Sequence, residues 1–118
     1  MSTEIQFVSA VPILASLDIK RSVGFFCTYF DFTVLFEQQG VYGVVVRDAV
    51  SVHFTAASGR SAAGHASCRI RLSGVDQLYE KCLAAGIVQP DAHLENKPWG
   101  SREFGVTDPD GNLIIFAE

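Results

Sequence analysis

The stretch from Arg102 to Ala117, REFGVTDPDGNLIIFA, contains two apolar strand patterns separated by the turn sequence Asp108-Pro109-Asp110-Gly111. Proline presets φ for the first corner of a turn, and glycine accepts the positive φ that the second corner often requires. The stretch therefore predicts two strands, 102–106 and 113–117, that form an antiparallel hairpin.

The residues before this hairpin predict a strand, a helix and a further short strand. The first strand is Cys68–Leu72, and the helix begins near Val75, where apolar residues recur at helical spacing. Gly86 is suited to end the helix because glycine adopts the left-handed conformation freely. Ile87–Gln89 is the short strand, and the polar segment Asp91–Gly100 is interpreted as a loop.

The first half of the chain repeats this order of elements. Asp18 is a suitable N-cap for an amphipathic helix from about Ile19 to Tyr29, and Asp31 lies just past its end. The predicted strands are Val8–Ala15, Thr33–Glu37, Tyr42–Arg47 and Val50–Ala56. The fold class is therefore α+β with two βαβββ modules, at about 8–56 and 67–118, joined by a small-residue linker at 57–66 within a single domain, 1–118.

Composition limits the classes of partner and the compartment. The chain has 118 residues, 48% of them apolar, and a net charge of −4, which is typical of one globular domain and disfavours a nucleic-acid partner. No apolar run is long enough to cross a membrane, and no signal peptide is visible. Cys27, Cys68 and Cys82 have no metal-binding spacing and are interpreted as reduced apolar residues of a cytoplasmic protein.

Four local sequences together resemble the bleomycin resistance proteins of the glyoxalase/dioxygenase (vicinal oxygen chelate) superfamily. They are Ala10–Leu14 (AVPIL), Gly43–Asp48 (GVVVRD), Gly74–Tyr79 (GVDQLY), and Pro98–Phe104 (PWGSREF) followed by Asp108–Asn112 (DPDGN). The resemblance spans nearly the whole chain. It implies that each module curls into a half-barrel sheet and that the protein is a homodimer with two grooves at its interface. It also implies that the first strand is exchanged between chains, with Pro12 at the bend.

Enzymes of this superfamily hold a metal ion with side chains from four strands, and the resemblance assigns those positions to Val11, His53, Ser67 and Ile115. Only His53 among them is a strong ligand, whereas a divalent ion needs three or four. We therefore expect no metal, no other cofactor and no catalytic residues. Nucleophile-elbow, phosphate-loop and dinucleotide motifs are also missing from the sequence.

The same resemblance implies ligand-binding roles for aromatic and acidic residues. Trp99 matches the tryptophan that stacks on the ligand, Phe36 matches a phenylalanine of the groove, and Tyr42 lies near a further aromatic position. Glu37 and Asp48 are candidate acids for a cationic drug. His53 and Ser67 are expected to face the same cavity.

Arg69 and Arg71 occupy positions where the family has bulky aromatic residues. Strand alternation puts both on the face of Ser67, and the resemblance implies that this face is turned toward the cavity. There the arginines would repel a cationic glycopeptide and favour an anionic or neutral planar ligand. Pairing with Glu103 or Glu37 is the structural alternative for these arginines.

The sequence thus predicts a non-catalytic protein that sequesters a bleomycin-type antibiotic or another planar compound. Two alternatives stay open at this point. One is a metal-dependent lyase or dioxygenase with an unusual ligand set built on His53. The other is a protein that binds an anionic or aromatic metabolite through Arg69 and Arg71.

Overall fold

The computed structural model describes residues 4–58 and 66–118, and it has the predicted strand–helix–strands order twice. The elements are β1 (Ile13–Ser16), α1 (Ile19–Phe30), β2 (Thr33–Gln38), β3 (Tyr42–Arg47), β4 (Val50–Ala56), β5 (Ser67–Arg71), α2 (Val75–Ala84), β6 (Glu95–Asn96), β7 (Arg102–Thr107) and β8 (Leu113–Ala117). They form two four-stranded sheets, ordered β1-β4-β3-β2 and β5-β8-β7-β6. The predicted α+β fold of two βαβββ modules is confirmed. Of the linker predicted at 57–66, residues 59–65 lie outside the described chain.

The first strand is shorter than predicted. It starts at Ile13, where it pairs in parallel with β4 at His53, instead of starting at Val8. Pro12 accepts a bond from the amide of His53 through its carbonyl oxygen, but its ring nitrogen has no hydrogen to donate. The preceding residues, including Ile5, Phe7 and Val8, are exposed. They pair with no strand in the described part of their own chain. We call residues 4–11 the N-terminal arm.

The prediction of a short strand at Ile87–Gln89 is wrong. Only Val88 forms a bridge, with Val106, and the pairing strand of this region is β6, inside the predicted loop 91–100. Pro90 explains the difference, because it lacks the amide hydrogen that a continuing ladder would need. The amide of Gln89 still donates to the carbonyl of Gly105, so the segment stays attached to β7.

Helix α1 is positioned by the two aspartates that the sequence singled out. Asp18 has extended backbone geometry and its carboxylate accepts a hydrogen bond from the amide of Arg21, 3.2 Å away. Asp31 ends the helix in the left-handed conformation, with φ of 57°. These caps fix the two ends of α1, and its buried face carries Val23, Phe26 and Phe30.

The core is shared by the two halves. Phe26 is fully buried and packs edge-to-face against Phe30, Phe32 and Phe54, with ring centroids 5.1 to 5.4 Å apart. The ring of Phe30 in turn lies 4.8 Å from that of Phe116 in β8. Aromatic packing therefore connects α1 to both sheets.

The turn 108–112 joins the halves at a second place. Its Asp110 carboxylate accepts hydrogen bonds from the Arg21 guanidinium (2.7 Å), the Ser22 hydroxyl (3.1 Å) and the Leu17 amide (3.2 Å), all near the start of α1. The side-chain amide of Asn112 donates to the carbonyl of Ala15. The turn at 108–112, which predicted the hairpin, thus also holds the second half of the chain against the first.

Within the described residues, neither helix is long and apolar enough to cross a membrane.

Candidate functional site

Each helix covers one face of a sheet and leaves the other face open. In the first sheet Val45, Val52 and Phe54 point to the helix side and are fully buried. Paired residues in a sheet point to the same side, so the register defines the opposite face. One row across it is Ile13, His53, Val44 and Phe36, and the next is Ala15, Thr55, Tyr42 and Gln38. We call these two rows the first open face.

Phe36, an aromatic residue of the first open face, lies next to an irregularity in β2. A register shift between Val34 and Phe36 marks a β-bulge in β2, and a bulge re-aims the side chains beside it. Phe36 is 47% exposed and Leu35 is more exposed still. The structure therefore brings Phe36 onto the same face as Tyr42 and His53.

His53 is engaged by a neighbouring phenol and flanked by apolar residues. The Tyr42 hydroxyl lies 2.8 Å from Nδ1 of His53, and the two rings meet edge-to-face at 5.4 Å. Ile13 and Val44, its neighbours in the row, offer no ligand atom. Across residues 4–58 and 66–118, no three His, Cys, Asp or Glu side chains come together in a way that could hold a metal ion.

The two candidate acids do not join the aromatic residues in the chain's own first open face. Glu37 pairs with Gly43, whose missing Cβ would lie 2.8 Å from Val23 of α1, so the Glu37 side chain leaves on the helix side. There its charge adds to the effect of burial in raising the pKa of Cys27. Asp48 lies in the β3–β4 turn, 3.7 Å from Arg47.

The second sheet has an open face of the opposite chemical character. Ser67, Arg69 and Arg71 alternate with the buried Cys68 and Ile70, as the sequence predicts. The register places Arg69 in a row with Ile115 and Gly105, and Arg71 in a row with Ala117 and Glu103. We call these two rows, with Ser67, the second open face.

A buried carboxylate organises the second open face. Glu103 is only 6% exposed, and its Oε2 accepts hydrogen bonds from the Arg69 guanidinium (2.5 Å) and the Ser101 hydroxyl (2.6 Å). Burial raises the pKa of Glu103, but the hydrogen bonds from Ser101 and Arg69, the charge of Arg69 and a bond from Trp99 outweigh it and lower that pKa below its ordinary value. The structural alternative left open for the arginines, pairing with Glu103, is found for Arg69.

Trp99 and Arg71 are left available on this side of the molecule. Trp99 is 67% exposed, and the Lys97 ammonium lies 5.8 Å from the centre of its ring. Arg71 forms no ion pair with any residue of the described chain. An exposed indole beside cationic side chains can stack on a planar ligand and attract a negative group.

Replacing Glu103 by glutamine should lower the free energy of unfolding by about 1–2 kcal/mol at pH 7, because Arg69 loses its charged partner. The native pKa of Glu103 lies below its ordinary value of 4.5, so the carboxylate's contribution is complete above that pH and is lost as pH falls through the native value. Urea unfolding at pH 7 and pH 3 measures the difference, which should be smaller at the lower pH. The exposed Glu80→Gln serves as the control. A difference that persists unchanged at pH 3 would contradict this role for Glu103.

Sequence reasoning missed three contributors to the candidate site. Glu103 appeared only as a partner for arginine, while Ser101 and Lys97 were not considered. The strand pairing could have indicated Glu103. Glu103 and Arg71 both pair with Ala117 of β8, so they lie in the same row on the same face. The positions of Ser101 and Lys97 depend on the path of the 97–101 loop, for which the sequence has no periodic pattern.

The cysteines do not form a reactive site. Burial raises the pKa of Cys68 and of Cys82 to about 11 in each case, so both thiols stay protonated at neutral pH. A protonated, buried thiol is a poor nucleophile.

Comparisons with known proteins agree with this geometry. A family model described as "Glyoxalase superfamily protein" matches residues 1–118. A bleomycin resistance protein of Geobacillus stearothermophilus is 34% identical over 126 residues, covering 92% of this chain and 95% of the relative. The bleomycin-binding protein of Streptomyces verticillus, solved in complex with copper(II)-bleomycin, is 26% identical and has a TM-score of 0.82, covering 96% and 97% of the two chains.

A lactoylglutathione lyase from Agrobacterium tumefaciens has a TM-score of 0.80 at 17% identity, covering 98% of this chain and 96% of its own, and so shares the fold. The family match and the identity to the curated relatives extend over nearly the whole chain. The chain belongs to the glyoxalase superfamily and, within it, to the bleomycin resistance protein family.

Proposed function

We propose that this protein is a non-catalytic binder that sequesters a bleomycin-type antibiotic in grooves between two copies of the chain. The observation that carries the proposal is the pair of open faces that neither helix covers. One carries Phe36 and Tyr42, and the other carries Glu103, which accepts a bond from the exposed Trp99. Its relatives are named for bleomycin resistance, and the similar Streptomyces protein was solved with copper(II)-bleomycin.

Exposed apolar residues support the homodimer. Phe7 is 97% exposed and Ile5 and Val8 nearly as much, while Ile13 and Leu35 are exposed on or beside the first open face. A soluble chain rarely leaves so many large apolar side chains in water, which favours their burial against a second copy. We propose that the first open face of one chain opposes the second open face of its partner, and that the N-terminal arm crosses over at Pro12.

The groove's charges bear on which ligand fits. Glu103 neutralises Arg69, so Arg71 is the cation that a bleomycin-type drug would meet. The side chains of Glu37 and Asp48 do not lie beside Phe36 and Tyr42 of their own chain. An acid that faces the drug in this groove would therefore be a different residue. The exposed Arg71 therefore favours, as a second candidate, the binding of an anionic aromatic metabolite in the same groove.

The remaining assignments are part of the same proposal. Ser67, Arg69 and His53 line the two open faces and would contact the ligand from either side. Ile13 and Val44, which flank His53, have no side-chain atom that could bind a metal ion. This row therefore does not fit a metal-dependent lyase or dioxygenase. We propose a single domain, with modules at about 8–56 and 67–118. We also propose a cytoplasmic location, to which the reduced cysteines are suited.

Replacing Trp99 by alanine should weaken bleomycin binding by about 1–3 kcal/mol, the range for an exposed aromatic anchor. Trp99 is the only tryptophan, so its fluorescence reports on this loop directly, and bleomycin should change it in the unmodified protein. Trp99→Phe keeps a flat ring and should retain most of the affinity. Equal affinities of the alanine variant and the unmodified protein would remove Trp99 from the site.

A further inference from the structure

A cleft of about 510 Å³ lies between the two halves, away from the aromatic residues of the open faces. Its floor is apolar and consists of side chains from both halves, namely Phe30, Phe32, Val50, Ile70, Leu78 and Phe116. The β3–β4 turn and the first turns of α2 form its walls. Volume and lining both fall in the range of small-molecule sites, about 300–1,000 Å³ and mostly apolar.

The repeated architecture explains why the cleft exists. The β7–β8 turn has five residues, 108–112, and it reaches the start of α1, where Asp110 binds Arg21 and Ser22. The corresponding β3–β4 turn has two residues, Asp48 and Ala49, and it faces the start of α2. Because the shorter turn cannot reach α2 in the same way, the junction that is filled on one side of the molecule is open on the other.

The charged groups at the cleft favour an anion. Among the described residues, Lys81 of α2 and Arg47 of β3 line it together with one acid, Asp48. Asp48 lies 3.7 Å from Nε of Arg47, and Nη1 of Arg47 donates to the carbonyl of Phe30, which leaves Nη2 without a hydrogen-bond partner among those residues. The Lys81 ammonium is likewise unpaired within that part of the chain.

The start of α2 does not contribute to this charge, because Glu118 already accepts hydrogen bonds from the amides of Gly74 and Val75. Arg71 also lines the cleft, but strand alternation directs its side chain to the second open face. The argument for an anion therefore rests on Arg47 and Lys81.

We infer that this cleft is a second binding site, distinct from the groove of the proposed function, for a small aromatic carboxylate. The ring system lies on the phenylalanine floor, and the carboxylate meets Lys81 and Nη2 of Arg47 at the mouth. A carboxylate suits this pair because charge-assisted hydrogen bonds to lysine and arginine are stronger than neutral ones.

Titration of the full-length protein with 2-naphthoate, followed by amide chemical shifts and calorimetry, tests the assignment. We expect saturable binding with shift changes at Ala49, Ser73, Gln77 and Lys81. Lys81→Gln should raise the dissociation constant about fivefold, as expected for a partly exposed ion pair. The neutral analogue 2-naphthylmethanol should bind more weakly than the acid.

Two further variants make the test specific. Ala49→Phe, in the exposed turn, should fill the mouth of the cleft and abolish the binding. Lys20→Gln removes a positive charge from an exposed position of α1 and should leave the 2-naphthoate affinity unchanged. Trp99→Ala should also leave this affinity unchanged. The inference is overturned if the shifts centre on Trp99, if Lys81→Gln and Ala49→Phe both bind like the unmodified protein, or if no saturable binding occurs. Those results would leave the proposed antibiotic groove unaffected.

Discussion

Deleting residues 1–10 should convert the proposed dimer to a monomer and should abolish bleomycin binding in its grooves. The arm carries Ile5, Phe7 and Val8, which are almost fully exposed in the single chain. Burying a large apolar side chain contributes about 1.5–3 kcal/mol, and the proposed dimer would bury two arms. Their loss should raise the dimer dissociation constant by several orders of magnitude, which sedimentation equilibrium measures.

Full-length variants separate the arm's apolar contacts from its length. Phe7→Asp should reproduce the effect of the deletion, because an unpaired charge cannot be buried at the interface. Gln6→Ala alters an exposed polar residue of the same arm and should leave the dimer intact. If the truncated chain sediments as a dimer, residues 4–10 do not hold the two copies together.

Replacing Phe26 by alanine should lower the free energy of unfolding by about 3–5 kcal/mol, the usual cost of removing a buried phenylalanine. The ring is fully buried and lies edge-to-face with four other phenylalanines, so its removal leaves a cavity among rings that pack against it from the helix and the first sheet. Urea unfolding monitored by circular dichroism measures the change. The transition should stay single, because Phe30 and Phe116 connect the two halves.

Leu83→Ala is the matched control for this variant. Leu83 is a large apolar residue on α2, but about half of its surface is exposed, and its truncation should cost less than 1 kcal/mol. A Phe26→Ala variant with a loss as small as the control's, or one that unfolds in two separate steps, would contradict a core shared by both halves.

The order of elements was predictable because it depends on local patterns. The turn at 108–111, the caps at Asp18 and Asp31 and the apolar spacing of both helices all act within a few residues. The errors occurred where pairing depends on distant segments. The arm before Pro12 pairs with no strand in the described part of its own chain. In the second half, β6 pairs with β7 inside the segment predicted as a loop.

The candidate site was predictable in part for the same reason. Alternation along β5 correctly placed Arg69 and Arg71, and the register groups Phe36 with Tyr42. Alternation also argues against Glu37, since it directly follows Phe36 and must leave on the other face. The buried cluster around Glu103 required the loop from Lys97 to Ser101, whose path no periodic pattern describes.

Calorimetric titration of the purified protein with metal-free and copper-loaded bleomycin tests the proposed sequestration most directly. The proposal predicts tight binding near one drug per chain. It also predicts that drug at 100-fold over its dissociation constant stabilises the fold by about 2.7 kcal/mol. Absence of both heat and thermal stabilisation with either form of the drug would contradict it and would direct attention to anionic aromatic ligands of Arg71.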